Sequence, residues 1–271
     1  MPLDRDVFET ALTTFHRHSR QNDEFVRALL DMGILPASRN SDFAILDLGA
    51  GQGYLPSLLR DHAGVLAVLE PNASCVAALR QTFAPVYAEA WDEPAYIRIA
   101  RDHPHGFDLV SMSHMLYHFH GIDDIRAKIR LAMRLVKPSG VLAIVINQID
   151  APTARVGMSF LRANGFDAEF QTNQQLHAHC HDASFYADAF DGAVAVSIQT
   201  LDAPLANVPN RDELIVALRM PLLDPLSDAP CSLDRLDRHI AAFLDAAYPG
   251  LTYPATLSSR DDLILIRRKA D

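Results

Sequence analysis

Between residues 43 and 147, five apolar runs, each too short for a stable helix, alternate with stretches of helical spacing. The runs are Phe43 to Leu48, Val65 to Glu70, Pro85 to Tyr87, Phe107 to Ser113, and a strand entered from the turn at Pro138–Gly140 in "KPSGVLAIVI". Helical spacing predicts helices over Tyr54 to Asp61, Ser74 to Phe83, a stretch after Pro94, and Ile122 to Val136. Apolar runs without strict alternation are buried on both faces, so strands alternating with helices predict a mostly parallel sheet covered on both sides. Right-handed crossovers follow as the default.

Outside that region the pattern is weaker. Residues 4 to 32 carry two apolar stripes, Phe8, Leu12, Phe15 and Phe25, Val26, Leu29, Leu30, which predict one or two helices. Thr153 to Ala163 reads as a helix closed by Asn164–Gly165. "FDAEFQT" alternates like a strand, and residues 177 to 192 hold no clean period. "AVAVSIQTL" reads as a strand or an extra element over the sheet, Arg211 to Leu218 and Leu236 to Ala247 read as helices, and "DDLILIRR" reads as a final strand. The expected organisation is a helical cap over residues 1–40, then an α/β domain over 41–271 with a cap insertion at about 175–250.

The first strand runs into "LDLGAGQG", with Gly49, Gly51 and Gly53 at two-residue spacing. Removing side chains there lets the backbone approach a ligand at the carboxyl end of the first strand. The dinucleotide fingerprint G-x-G-x-x-G does not fit, because the last glycine comes one residue too soon. No Gly-Lys-Ser/Thr follows, which disfavours a phosphate-cradling nucleotide-hydrolase loop. Glu70 ends the second strand, where a carboxylate can accept two hydrogen bonds from ribose hydroxyls. Ser113, His114, Tyr117 and His118 stand just past the fourth.

These segments resemble class I S-adenosylmethionine-dependent methyltransferases over about residues 43 to 147, and more weakly at the final strand. The resemblance implies a Rossmann-like seven-stranded, mostly parallel sheet with an antiparallel last strand, plus a helical cap. It implies S-adenosyl-L-methionine as cofactor, held by Asp47, Gly49, Gly51, Gly53, Glu70 and Pro71. Glu89, Ala90 and Trp91 of "YAEAWDE" would stand at the adenine, and Ser113 at the methionine end. "LEPNAS", "HMLYH" and "FHRHSRQNDEF" are closer still to the histamine N-methyltransferase family and its bacterial relatives. That likeness implies an N-terminal region closing over the acceptor, with contacts from His18, His114, Tyr117, and Ser258 or Ser259. His18 and His114 stand where that family has acidic and amide side chains, and a serine stands where it has a C-terminal amide. The implied function is methylation of a small molecule, at nitrogen of an amine or heteroaromatic ring. The alternatives are a small-molecule O-methyltransferase and a non-catalytic cofactor-binding interaction protein.

Composition narrows the partners. Lys and Arg number 24 against 34 acids, a net charge of −10, which argues against a nucleic-acid substrate. The amide–proline–proline–aromatic motif common in nucleic-acid methyltransferases is replaced by "SHML". Cys75, Cys180 and Cys231 show no paired spacing, and the polar N-terminus is unlike a secretory signal, so a cytoplasmic enzyme is expected; the apolar runs are too short to span a membrane, and a monomer is favoured with the oligomeric state left open. On a strand, His177, His179 and His181 of "LHAHCHD" would share one face and suit zinc. No second cluster accompanies them, so a polar surface loop and no metal is the reading carried forward. Phe8, Phe15, Phe160, Phe185, Tyr186 and Phe190 read as core, or as walls of a pocket in the cap. "MPLLDPLSDAP" reads as an exposed connection, or as an acidic rim attracting a cationic acceptor.

Overall fold

The alternation of runs and helices is realised as a seven-stranded sheet. The computed structural model describes residues 5–223 and 232–269. Most of "MPLLDPLSDAP", and Cys231 with it, lie outside the described residues. The strands are β1 (Asn40–Leu48), β2 (Ala63–Leu69), β3 (Val86–Tyr87), β4 (Phe107–Ser113), β5 (Val136–Asn147), β6 (Val194–Asp202), β7 (Leu205–Val208), β8 (Ala255–Leu257) and β9 (Arg260–Arg268). The helices are α1 (Arg5–His18), α2 (Gln21–Asp31), α3 (Tyr54–Leu59), α4 (Ala73–Leu79), α5 (Glu93–Asp102) and α6 (Ile122–Leu135). After the fifth strand come α7 (Pro152–Ala163), α8 (Asp167–His179), α9 (Ala183–Asp188), α10 (Arg211–Leu218) and α11 (Leu233–Ala247).

The sheet order is β3-β2-β1-β4-β5-β9-β6. Strands β1 to β5 pair in parallel. The last strand is antiparallel: Ala203 N–H donates to Ser259 O and Lys269 N–H to Ala193 O, so β6 and β9 run in opposite directions. Helix starts follow their caps. The Asn72 side chain accepts from Ser74 N at 2.9 Å, and the Asp92 side chain from Ala95 N at 3.0 Å, with Pro94 in the first turn of α5.

The chain divides into two compact units. One holds the sheet and comprises Asn22–Ile146, Gln174–Leu201 and the chain from Asp262. Its strand residues alternate between two cores: Leu46, Val110, Ile144 and Ile264 join α5 and α6, while Ile45, Leu109, Ala143 and Leu263 join α2 and α3. The other comprises the chain up to Gln21, Asn147–Asn173 and Asp202–Asp261. Its core joins Phe15 of α1, Phe160 of α7, Leu214 and Leu218 of α10, and Ile240 of α11, beside the antiparallel pair β7–β8. These boundaries depart from the expected 1–40 and 175–250. Helix α2 packs with the sheet unit because Phe25 and Leu29 share a core with Leu55 and Leu59. Helix α9 packs there too, through Phe185 and Tyr186.

Two local expectations are corrected. "FDAEFQT" is helical, and so is most of the histidine-rich stretch that was read as a polar loop. Phe166 and Phe170 are four apart, which suits one face of a helix as well as alternation suits a strand, and Asp167 and Glu169 favour a helix N-terminus.

In the second unit Arg219 grips Asp237 through two hydrogen bonds of 2.6 Å. Both groups are partly shielded from water. Arg219→Ala is expected to lower the unfolding free energy by about 1–2 kcal/mol, read by denaturant titration. A variant as stable as the wild type would show this pair to be no more than a surface contact.

Candidate active site

The sequence "LDLGAGQG" leaves β1 and turns into α3. Gly49, Gly51 and Gly53 have φ of 77°, 53° and 87°. Gly49 and Ala50 N–H groups donate to Leu69 O at 2.9 and 3.0 Å, which ties the turn to the end of β2. The glycines have different neighbours. A Cβ on Gly53 would lie 2.9 Å from Leu79 and 3.0 Å from Phe83, whereas one on Gly51 would have nothing within 4 Å. Gly53 is therefore a packing glycine, and Gly51 faces open space.

Glu70 braces this turn. Its two carboxylate oxygens accept from Gly51 N–H and Asn72 N–H, each at 2.8 Å. The residue is 7% exposed. Burial pushes its carboxyl above the usual range, and the two backbone donors and nearby His118 oppose that. Each oxygen has a second lone pair beyond the one used.

Asp47 lies at the end of β1, in register with Ser111 of β4. Ser111 Oγ–H donates to Asp47 Oδ1 at 2.5 Å. Asp47 is 1% exposed, and burial pushes its carboxyl up to about 7; the Ser111 bond opposes the shift and the Glu70 charge adds to it.

The other sequence candidates lie as follows. Pro71 and Ala90 are exposed, and Glu89 forms an ion pair with Arg98 at 3.5 Å. Trp91 is buried in the sheet core with its indole N–H on Lys128 O at 3.1 Å, so its polar atom is committed to α6. Ser113 is half-buried at the end of β4. His114 follows with φ of 52°, its N–H on Val145 O at 2.9 Å. The rings of His114 and Tyr117 lie parallel with centroids 6.5 Å apart. Met115 between them lies 3.3 Å from where a Gly49 Cβ would stand, so this segment sits against the glycine turn.

His18 belongs to the other unit. Its Nε2 meets Glu213 Oε1 at 2.8 Å and its Nδ1 meets Ala206 O at 3.2 Å, so both ring nitrogens are engaged there. Ser259 is buried in that unit, with its carbonyl on Ala203 N–H. Phe15 and Phe160 are core of that unit, and Phe185 and Tyr186 are core of the sheet unit.

A group the sequence reading did not assemble stands beside Tyr117. The His177 ring is 6.2 Å from Tyr117 and 5.5 Å from His181. His177 Nδ1 meets His181 Nε2 at 3.2 Å, and His181 Nδ1 meets Asp262 Oδ2 at 2.7 Å. The available signal was the four-residue spacing of the two histidines, which is one helical turn. His179 turns elsewhere, against Phe185. Among the described residues no group of three or more His, Cys, Asp or Glu side chains could hold a metal ion.

A family model described as a methyltransferase domain matches residues 16–195. The chain belongs to the methyltransferase-domain family. The methyltransferase shares its fold with solved structures of low identity. YcgJ from Bacillus subtilis is 16% identical at a TM-score of 0.50, covering 90% of this chain and 100% of its own. A candidate sarcosine dimethylglycine methyltransferase from Galdieria sulphuraria is 16% identical at a TM-score of 0.51, covering 92% and 86%. The plantazolicin methyltransferase BpumL, in complex with a triazolic desmethylPZN analog and SAH, is 12% identical at a TM-score of 0.50, covering 98% and 92%. No curated protein matches the methyltransferase significantly. None of these comparisons shows the finer likeness to histamine N-methyltransferase. Among the described residues no helix of the methyltransferase is long and apolar enough to cross a membrane.

Proposed function

We propose that this enzyme binds S-adenosylmethionine at the glycine turn and methylates a small molecule, at nitrogen of an amine or heteroaromatic ring. The observation that carries the reading is the Gly51–Glu70 arrangement: an open backbone surface beside a buried carboxylate with lone pairs to spare. The cofactor supplies an electrophilic methyl on a sulfonium. The chain has to hold it, present an acceptor lone pair and exclude water. Glu70 would take the ribose hydroxyls, and Asp47, Gly49 and Gly51 would line the amino-acid end, with Ser113 beside them. Pro71, Glu89 and Ala90 would border the adenine, with Trp91 packed behind it. Gly53 would serve through packing.

The acceptor reading rests on His114 and Tyr117, an imidazole and a phenol on either side of Met115, the residue that packs against Gly49. Aromatic faces suit a cationic amine or a flat heteroaromatic ring. His18 receives a holding role in its own unit, since both nitrogens are used there. The net charge of −10 supports a small acceptor over a polyanion. Cys75 and Cys180 are buried as thiols, a cysteine usage that suits a reducing cytoplasmic compartment.

Isothermal titration with S-adenosylmethionine or S-adenosylhomocysteine tests the reading directly. Absence of binding would end it. Glu70→Gln removes the charge and one acceptor, and is expected to weaken cofactor binding by about 1–3 kcal/mol, roughly 5- to 150-fold in Kd. Unchanged affinity would remove Glu70 from the site.

A further inference from the structure

The proton released during methyl transfer needs a destination, and the sheet unit holds a chain of rings able to take it. We propose that His177 is the general base of the reaction, backed by His181 and Asp262 as positioning residues that carry the charge away from the acceptor. This rests on the methyl-transfer reading above.

The connections run from strand to helix to strand. Thr200 Oγ1 donates to Asp262 Oδ1 at 2.9 Å, which fixes the carboxylate on β9. Asp262 Oδ2 faces His181 Nδ1 at 2.7 Å, and His181 Nε2 faces His177 Nδ1 at 3.2 Å. The two imidazoles are almost parallel, at 6°, because they stand one helical turn apart. Tyr117 lies beside His177, and His114 beside Tyr117, so the array begins in the segment packed against the glycine turn. Among the described residues no hydrogen-bond partner takes His177 Nε2.

Tautomers follow from the carboxylate. A buried Asp262 anion fixes N–H on His181 Nδ1. His181 Nε2 then accepts from His177 Nδ1–H, which leaves the His177 lone pair on Nε2. As the acceptor's lone pair bonds to the methyl carbon and the donor's carbon–sulfur bond breaks, the acceptor's N–H or O–H proton passes to His177 Nε2. His177 Nδ1–H passes in turn to His181 Nε2. The sulfonium's positive charge is lost, and one positive charge appears on a His181 imidazolium paired with Asp262. His177 ends as a neutral ring with its hydrogen on the other nitrogen.

The local charges fit this direction. Burial, and the charge of His181, push His177 down to about 4 from its ordinary 6.5. The ring therefore stays neutral before the reaction, as a relay must. The other titratable and charged groups facing the array are Tyr117 and His114 from the segment after β4, Tyr186 of α9, Cys180 after α8, and Arg126 of α6. Burial pushes Tyr186 well above its ordinary value and Cys180 up to about 12, so neither competes for the proton near neutrality. A relay of this kind is needed only by an acceptor with a removable proton. That narrows the substrate to a primary or secondary amine, an N–H heteroaromatic or a phenol, and excludes tertiary amines.

The test compares wild type, His177→Gln and His181→Gln on an amine, imidazole and phenol panel, with cofactor affinity measured in parallel. His177→Gln is expected to lower kcat about a hundredfold near neutral pH, with cofactor Kd changed less than twofold. The lost rate should return as pH rises and the acceptor ionises unaided. His181→Gln should shift the pH profile in the same sense by a smaller factor. Nitrogen-15 spectra of the wild-type rings provide a readout that needs no turnover. His177 should stay neutral well below its ordinary 6.5. Full activity and an unchanged profile in folded His177→Gln would overturn the relay, and so would His177 taking its own proton near 6.5. If either variant fails to fold, the other and the wild-type spectra decide. A wild type that binds no S-adenosylhomocysteine would bring down the methyl-transfer reading and the relay together, whereas binding with turnover and an indifferent His177 would bring down the relay alone.

Discussion

Asp47→Asn is expected to gain stability over the wild type as pH rises from about 4 to about 8. Asp47 titrates at about 7 in the folded chain against an ordinary value of 3.8. Between those values the folded protein holds a proton that the unfolded chain has released, so wild-type stability from this group falls as pH rises. Below about 4 both states are protonated and the effect vanishes; above about 7 the full cost of burying the charge is present. The gap between the two values corresponds to about 4 kcal/mol, at about 1.36 kcal/mol per pH unit. Asparagine keeps an acceptor for Ser111 Oγ–H and has no charge to bury. Denaturant unfolding of both proteins across this range should give curves that diverge. Parallel curves would mean that Asp47 is ionised throughout at no cost.

The second large effect is steric. Gly53→Ala places a methyl 2.9 Å from Leu79 and 3.0 Å from Phe83, at a φ of 87°. The left-handed backbone costs about 1–2 kcal/mol for an L side chain and the overpacking about 1–3 kcal/mol, so a loss of about 2–5 kcal/mol is expected. Gly51→Ala shares the backbone cost without the collision, because nothing lies within 4 Å. It should keep more of its stability and lose cofactor affinity instead, since its methyl enters the proposed ligand space. Equal stability losses in the two variants would show that the packing difference carries no energy.

Most of the sheet was readable because its signals are local. The apolar run Phe107 to Ser113 became β4 with the same bounds, and Asn164–Gly165 closes α7 as its polar–glycine pair indicated. The glycine turn and Glu70 were legible for the same reason, since each stands next to the end of a strand. Helix α8 was missed because its apolar residues do not form a stripe; only Leu176 and His177 are buried. The pair β7–β8 was missed because strands of four and three residues leave almost no period to read. The His177–His181–Asp262 array needed more than a pattern. Asp262 lies 81 residues beyond His181, and it stands within a run, "DDLILIRR", whose most visible property is its apolar strand. For His18 the resemblance points to the acceptor, while in the structure Glu213, 195 residues on, holds its ring.

The place of β9 in the sheet has a consequence for synthesis. Among the described strands it comes last in the chain, yet it lies between β5 and β6. A growing chain that has completed β6 must still add the residues up to Arg260 before the strand that joins β5 to β6 exists. Throughout that interval β5, apolar from Val141 to Ile146, presents an unpaired edge, and β6 has no sheet to join. Unpaired apolar edges are templates for association with other chains. A chain that ends short of Arg260 therefore carries that apolar edge open, and association with other chains is the expected fate of such a fragment.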